Sequence, residues 1–433
     1  MTFPNRCSCN KEDSVSKTIG NAIPQVILVA LFCLCIFSQP RSLSAATLYV
    51  ATNGNDSNPG TIDRPLRTIQ HAADIVACGD TVNIRAGVYN GGMGVGYGKN
   101  ATCASYSNAV TIQAYPGEIV TMTNKNINAV IGFSTDSFPT RRNFYWIVKG
   151  LILDGTGMSA PGFIVSGVYG DHVRLQDLEI RNGAASGILP HGDFWEFINL
   201  NVHNNGSSGQ DHGLYWTGQG GLIDGGSYHD NSGYGIHIYD SGSSSVRNNT
   251  VRNVRVYNNN LQQGASALTG VGAGGLVMAN GANNTVYNSL FYHNGASSIQ
   301  INGSCVGCSA YNNTVFGGFT GIQIVDLAAG AVVRNNISFG NVGSAISDAG
   351  TGTVLSNNLT TDPRFTNAAA HDFTLQPSSG AINAGADLSS IFTTDLTGKP
   401  RPIGGAFDIG AFEFGAASFS DPVLPTVSIS TSH

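Results

Sequence analysis

From residue 187 onward one phrase recurs, a small residue followed by alternating apolar and other residues, with starts at Gly187, Gly213, Gly235, Gly275, Ser298, Gly321 and Ala345. The steps between starts are 26, 22, 40, 23, 23 and 24 residues, the long one holding the insertion NNNLQQGASALTGVGAGG. Directly after each start stand Ile188, Leu214, Ile236, Leu276, Ile299, Ile322 and Ile346, and two residues further Pro190, Trp216, Ile238, Met278, Ile301 and Ile324. Alternation over so few residues predicts short half-buried strands, and a near-constant step predicts that equivalent positions stack as inward columns. With no helical stretch between them, the strands predict an all-β fold, a single-stranded parallel β-helix whose coils lie about 4.8 Å apart.

A second phrase, visible in LQDLEIRNG, FINLNVHNNG, VYNSLFYHNG, AYNNTVFGG, VVRNNISFGN and VLSNNLTTDP, sets Asp177, Asn199, Asn288, Asn312, Asn335 and Asn357 at one recurring turn. Asparagine tolerates the left-handed backbone, and its amide can bond the backbone of the next coil, so an asparagine ladder suits a stacked bend. The NNT triplets in these phrases also match the N-glycosylation pattern, but the ladder accounts for the same asparagines.

Ahead of the repeats, LYVATNGNDSNPGTIDRPLRTIQHAADIVACGDTVNIRAGVYN predicts a strand, a polar turn, a capping α-helix from Pro65 to Val76 and a strand ending at Tyr89. Ile69, Ala72, Ala73 and Val76 share one face of that helix. A cap is needed because an open end of a solenoid is a template for aggregation. The expected organisation is a signal peptide at 1–46, the cap and first coils at 47–125, repeats at 126–360, a closing segment at 361–414 and a flexible tail at 415–433.

Composition narrows the function. The 56 glycines, 11% charged residues and net charge of −6 leave no basic footprint for nucleic acid. Lys11 and Lys17, the apolar run AIPQVILVALFCLCIF and the small residues of SLSAAT predict export to the cell exterior, the periplasm or the cell surface. A membrane anchor is the competing reading, but the run is short for a span, and no later stretch could cross a bilayer. Removing 1–46 leaves Cys78, Cys103, Cys305 and Cys308. Four cysteines allow three pairings, of which Cys78 with Cys103 and Cys305 with Cys308 is the expected one; CVGC, set between strand signals, is expected as a staple rather than a redox motif.

The opening segment, together with VTIQAYPGEIV at 110–120, resembles the secreted right-handed β-helix proteins of the pectate lyase superfamily, including the calcium-dependent pectate lyases that use a lysine base. The stretches DPRFTNAAAHDFTLQPSSGAINAGA and DLTGKPRPIGGAFDIGAFEF are similar to the closing segment of many bacterial β-helix surface and secreted proteins. With the repeats, the resemblance covers about 47–414 and implies a right-handed β-helix. It departs from the lysine-base enzymes in one respect. After residue 46 only Lys99, Lys125, Lys149 and Lys399 remain, and Lys149 alone falls on an expected coil strand, without an accompanying set of four carboxylates.

The slots between the inward residues face outward. One outward column reads Leu189, Tyr215, His237, Val277, Gln300, Gln323 and Ser347, and the next His191, Thr217, Tyr239, Ala279, Asn302 and Val325. Histidine, tyrosine and aspartate thus concentrate on three consecutive coils, on a face where rings could stack on sugars and amides bond hydroxyls. For a uronic-acid polymer, removal of the C5 proton needs a base, an acid and neutralisation of the carboxylate. The expected base is His237 or His212 and the expected acid Tyr215 or Tyr239, with His191, Asp193, Asp240, Lys149, Gln300 and Asn302 binding substrate. Calcium is the ion that Asp193, Asp211 and Asp240 would suit, although isolated aspartates also shape turns. The expected function is a secreted polysaccharide lyase or related C5-epimerase, acting as a monomer on an acidic polysaccharide or other glycan. The alternative is a non-catalytic carbohydrate-binding or adhesion β-helix. The NTD, DD, GHG and RIK set of polygalacturonase-like hydrolases and the DPHD motif of alginate-type epimerases are both missing from the sequence.

Overall fold

The computed structural model describes residues 45–96, 100–125, 129–134, 141–159, 162–239, 246–260 and 272–415. Asp240, most of the long insertion, the signal-like residues 1–44 and the tail from 416 lie outside the described residues. Every pairing between coil strands is parallel, as the stacked repeat requires. One sheet of ten strands runs from Met93–Val95 through Leu214–Trp216 and Ile236–Tyr239 to Ile346–Asp348. A twenty-strand sheet holds the other two walls of the coil. The two walls join where Glu196–His203 and Leu222–His229 each pass through both.

The inward columns form the core. Ile188, Leu214, Ile236, Leu276, Ile299 and Ile322 are fully buried, as are Trp146, Trp195 and Trp216. Each such side chain contributes about 1.5–3 kcal/mol on burial. The indole Nε1 atoms donate to carbonyls of Ala101, Gly170 and Gly192, so no donor is stranded inside. The helix is Ile69–Ile75, four residues shorter at its start than the sequence pattern predicts, because Leu66 bridges Val50 and Thr68 is the N-cap, accepting from His71 N at 3.2 Å. Its expected inward face, Ile69, Ala72, Ala73 and Val76, is buried.

The asparagine ladder divides its work between neighbours. Asp177, Asn199, Asn288, Asn312, Asn335 and Asn357 all have φ between 48° and 59°. The ladder between coils, however, is carried mainly by the following residue: Asn313 Nδ2 donates to Asn336 Oδ1 at 3.0 Å, and Asn336 Nδ2 to Asn358 Oδ1 at 3.0 Å. A second ladder, one turn away, runs Asn205, Asn231, Asn259, Asn294. Several left-handed asparagines instead reach the closing segment, with Asn288 donating to the Thr394 carbonyl, Asn312 to Asp408 and Gly410, and Asn335 to Ala386. That segment packs Phe365, Phe373, Ile409 and Phe412 against Leu290, Tyr292 and Ile337, and so lies along the flank of the coils. Disulfides join Cys78 to Cys103 and Cys305 to Cys308, with Cα separations of 5.5 and 6.0 Å.

Candidate functional site

On the ten-strand sheet, Tyr215 pairs in register with His237, His237 with Val277, and Val277 with Gln300. Leu214, Trp216, Ile236 and Ile238 are buried inside, which turns Tyr215, His237 and Tyr239 outward. The two rings the repeat predicted to be neighbours stack at 4.6 Å with 17° between planes. His237 also stacks on Tyr239 at 5.2 Å, and Tyr215 lies 6.3 Å from Tyr239.

His212 and Tyr234 enter from the position before each repeat glycine. His212 meets His237 edge to face at 4.4 Å and Tyr215 at 5.5 Å, and Tyr234 lies 5.1 Å from His237. Tyr234 is not among the residues expected from the sequence, although it stands in the same column as His212, directly before a repeat glycine. The signal was present: Ser186, His212 and Tyr234 form one column, in which Ser186 Oγ accepts from His212 N, and His212 Nδ1 accepts from Tyr234 N at 3.0 Å. A neutral imidazole that accepts at Nδ1 carries its proton on Nε2. The seat is tight, since a Cβ at Gly233 would overlap His212 Nδ1.

Burial sets the electrostatics. His212 is 2% exposed, and desolvation lowers it to about 4. His237 is also held well below the ordinary imidazole range, first by burial and then by His212 beside it. Both rings are therefore neutral near pH 7. His237 Nδ1 is buried without a hydrogen-bond partner among the described residues. Tyr234 is pushed up to about 12 by burial and stays protonated, and its hydroxyl donates to Gln300 Oε1 at 3.0 Å, two coils away. Gln300 Nε2 donates in turn to Gln323 Oε1 at 2.8 Å, and Asn302 Nδ2 to Gln300 Oε1 at 3.3 Å. A cavity of about 350 Å³ opens over these rings, lined by Gln210, Tyr234, His237, Tyr239, Asn280 and Asn302 among others.

The other candidates make contacts of their own. His191 Nδ1 bonds Thr217 Oγ1 at 2.8 Å. The Asp193 carboxylate meets Arg141 at 3.0 Å and the Gln219 side chain at 3.1 Å. Asp211 accepts from the backbone of Ser207 and Ser208 and shapes that turn. Lys149 lies on the twenty-strand sheet, in register with Gln113 and Gln176. Of the aspartates expected to suit calcium, Asp193 and Asp211 have the partners just given and Asp240 lies outside the described residues; among the described residues no three His, Cys, Asp or Glu side chains converge.

The stacked parallel coil is that of a right-handed β-helix. The family model described as Pel9A-like, right-handed β-helix region, matches residues 48–209, and that of the right-handed β-helix region matches 169–360. Among curated relatives, Pectate lyase L of Paenibacillus polymyxa is 25% identical across 95% of this chain and 96% of that protein. Pectate lyase PEL9 of Emericella nidulans is 37% identical over 18% of each chain, and the uncharacterized protein YwoF of Bacillus subtilis 28% identical over 31% of this chain. The alignments with these last two span less than a third of either relative's length. Of solved structures, pectate lyase Pel9A matches with a TM-score of 0.62 at 18% identity, covering 86% of this chain and 97% of that one. A rhamnogalacturonan lyase matches with a TM-score of 0.58 at 17% identity, covering 77% and 94%. At these identities the likeness to the solved structures is one of fold.

Proposed function

We propose that this protein is a secreted polysaccharide-active enzyme that removes the C5 proton of a uronic-acid unit, with His237 as the base. One observation carries the reading: a neutral imidazole packed against two tyrosine rings lines a groove, with its Nδ1 enclosed and unbonded. Buried polar atoms are almost always paired, and a base held neutral at working pH can accept a proton without first losing one. His237 takes the C5 proton through Nε2, because Nδ1 is enclosed. The C–H electron pair becomes the C4–C5 double bond, and the glycosidic oxygen leaves C4 with a proton from Tyr215 or Tyr239. In epimerisation the same carbanion is instead reprotonated on its other face. His212 and Tyr234 position His237 from beneath, and the amides of Gln210 and Asn302 bond the substrate carboxylate or hydroxyls.

The likeness to pectate and rhamnogalacturonan lyases supports a pectin-like polymer. Export is supported by the two disulfides, since such bonds persist in oxidising compartments. Among the described residues no helix is long and apolar enough to cross a membrane. To test the reading, the protein is incubated with pectate, alginate and rhamnogalacturonan while the ultraviolet absorbance of unsaturated product and the C5 proton exchange by NMR are followed. New absorbance supports elimination, and exchange without absorbance supports epimerisation. Binding with neither would make the protein a carbohydrate-binding module.

A further inference from the structure

At the bend from the ten-strand sheet into the larger sheet, each coil places one residue in the left-handed region. In order the column is Tyr145, His172, Phe194, Gly220, Asn248, Asn283, Gly307, Gly330 and Gly352, with φ between 51° and 67°. Its members are aligned by hydrogen bonds from each residue's N–H to the neighbouring coil, such as Phe194 N to Gln219 O and Gly220 N to Arg247 O. Glycine and asparagine adopt this conformation readily, whereas bulky L residues do so only under constraint. The later coils follow that rule, and three consecutive early coils break it with aromatic rings.

Those rings form a stack. Tyr145 lies on His172 at 4.3 Å and 15°, and His172 on Phe194 at 4.8 Å and 9°. The stack ends at Phe194: residue 220 is glycine, and the Phe194 ring lies over it, so that an added Cβ would fall 2.6 Å from Phe194 Cε1. Phe194 remains 43% exposed. A groove of about 440 Å³ opens here, with Glu196, Asn248, Arg252 and Tyr287 in its wall. The wall's charges are already matched within the protein, Glu196 with Arg174 and Arg252 with Asp224.

We infer that this groove is an accessory sugar-binding site, separate from the ring cluster, that takes a neutral pyranose. The flat apolar face of the sugar stacks on the exposed Phe194 ring, and its hydroxyls meet the amide, carboxylate and phenol of the wall. A wall without a free cation favours a neutral sugar over a uronate. Such a site would hold the protein on the neutral chains of a mixed polysaccharide while the ring cluster acts elsewhere.

The test is calorimetric titration of the whole protein with cellohexaose, xylohexaose and a galactan-derived oligosaccharide, alongside polygalacturonate. Phe194→Asn removes the ring and keeps a residue at home in the left-handed region, so its melting temperature should equal or exceed wild type while neutral-sugar affinity falls at least ten-fold. Phe194→Trp should retain the affinity. Turnover of soluble uronate polymer, read separately, reports the ring cluster and not this site. Absence of neutral-sugar binding by wild type, or equal binding by Phe194→Asn, overturns the inference. So does a Phe194-dependent affinity for polygalacturonate alone.

Discussion

Acidification should unfold this protein partly through His212. The folded ring titrates at about 4, against about 6.5 for an exposed imidazole. Below pH 6.5 the unfolded chain therefore binds a proton that the folded chain refuses. The sign follows directly: this contribution to stability is complete above about 6.5 and is lost as pH falls toward 4. At about 1.4 kcal/mol per pH unit, the loss amounts to about 3 kcal/mol over the window, and the 2% exposure of the ring leaves little solvent screening to reduce it. His212→Asn isolates the effect, because its Oδ1 can stand where Nδ1 accepts from Tyr234 N and it carries no titrating group. Urea unfolding at half-unit steps from pH 7.5 to 4 gives the stability of each protein, and carboxylate titration is common to both. The difference curve should change by about 3 kcal/mol between pH 6.5 and 4. Parallel curves would show that His212 is not held neutral by the fold.

Three further outcomes follow from the same contacts. Asn336→Ala breaks the interior ladder at a fully buried residue that bonds Asn313 and Asn358, and should cost about 2–4 kcal/mol in urea unfolding. Arg401→Met leaves Glu413 buried without its 2.9 Å ion-pair partner and should cost about 3–5 kcal/mol, with the closing segment becoming the first site of proteolysis. Turnover should survive chelation by EDTA, since the described groove lining supplies amides and rings rather than converging carboxylates. A strict calcium requirement would refute a reaction run by the ring cluster alone.

The solenoid and the meeting of Tyr215 with His237 were legible because a near-constant step makes distant residues neighbours, and alternation fixes which face they share. The cysteine pairs were legible for a similar reason, each joining residues close in the chain or one coil apart. Tyr234 was not found, although His212 in the same column was, because the two outward columns read from the repeat begin only after its glycine. Lys149 could not be separated from the site by pattern alone: the repeat gives the order of coils, whereas the sheet on which a strand falls depends on the bends between strands. The aromatics at Tyr145, His172 and Phe194 contradict the local rule that places glycine or asparagine at a left-handed bend, so no propensity argument could anticipate them. The course of the closing segment depends on asparagine amides reaching carbonyls as far as 106 residues away, which no local pattern encodes.

The central claim is that His237 moves the proton, and steady-state turnover of wild type, His237→Ala and Tyr215→Phe on the best uronate polymer tests it most directly. The account predicts that each variant keeps the wild-type circular dichroism and melting transition while kcat falls by about two to four orders of magnitude. Wild-type turnover in a folded His237→Ala protein would contradict it.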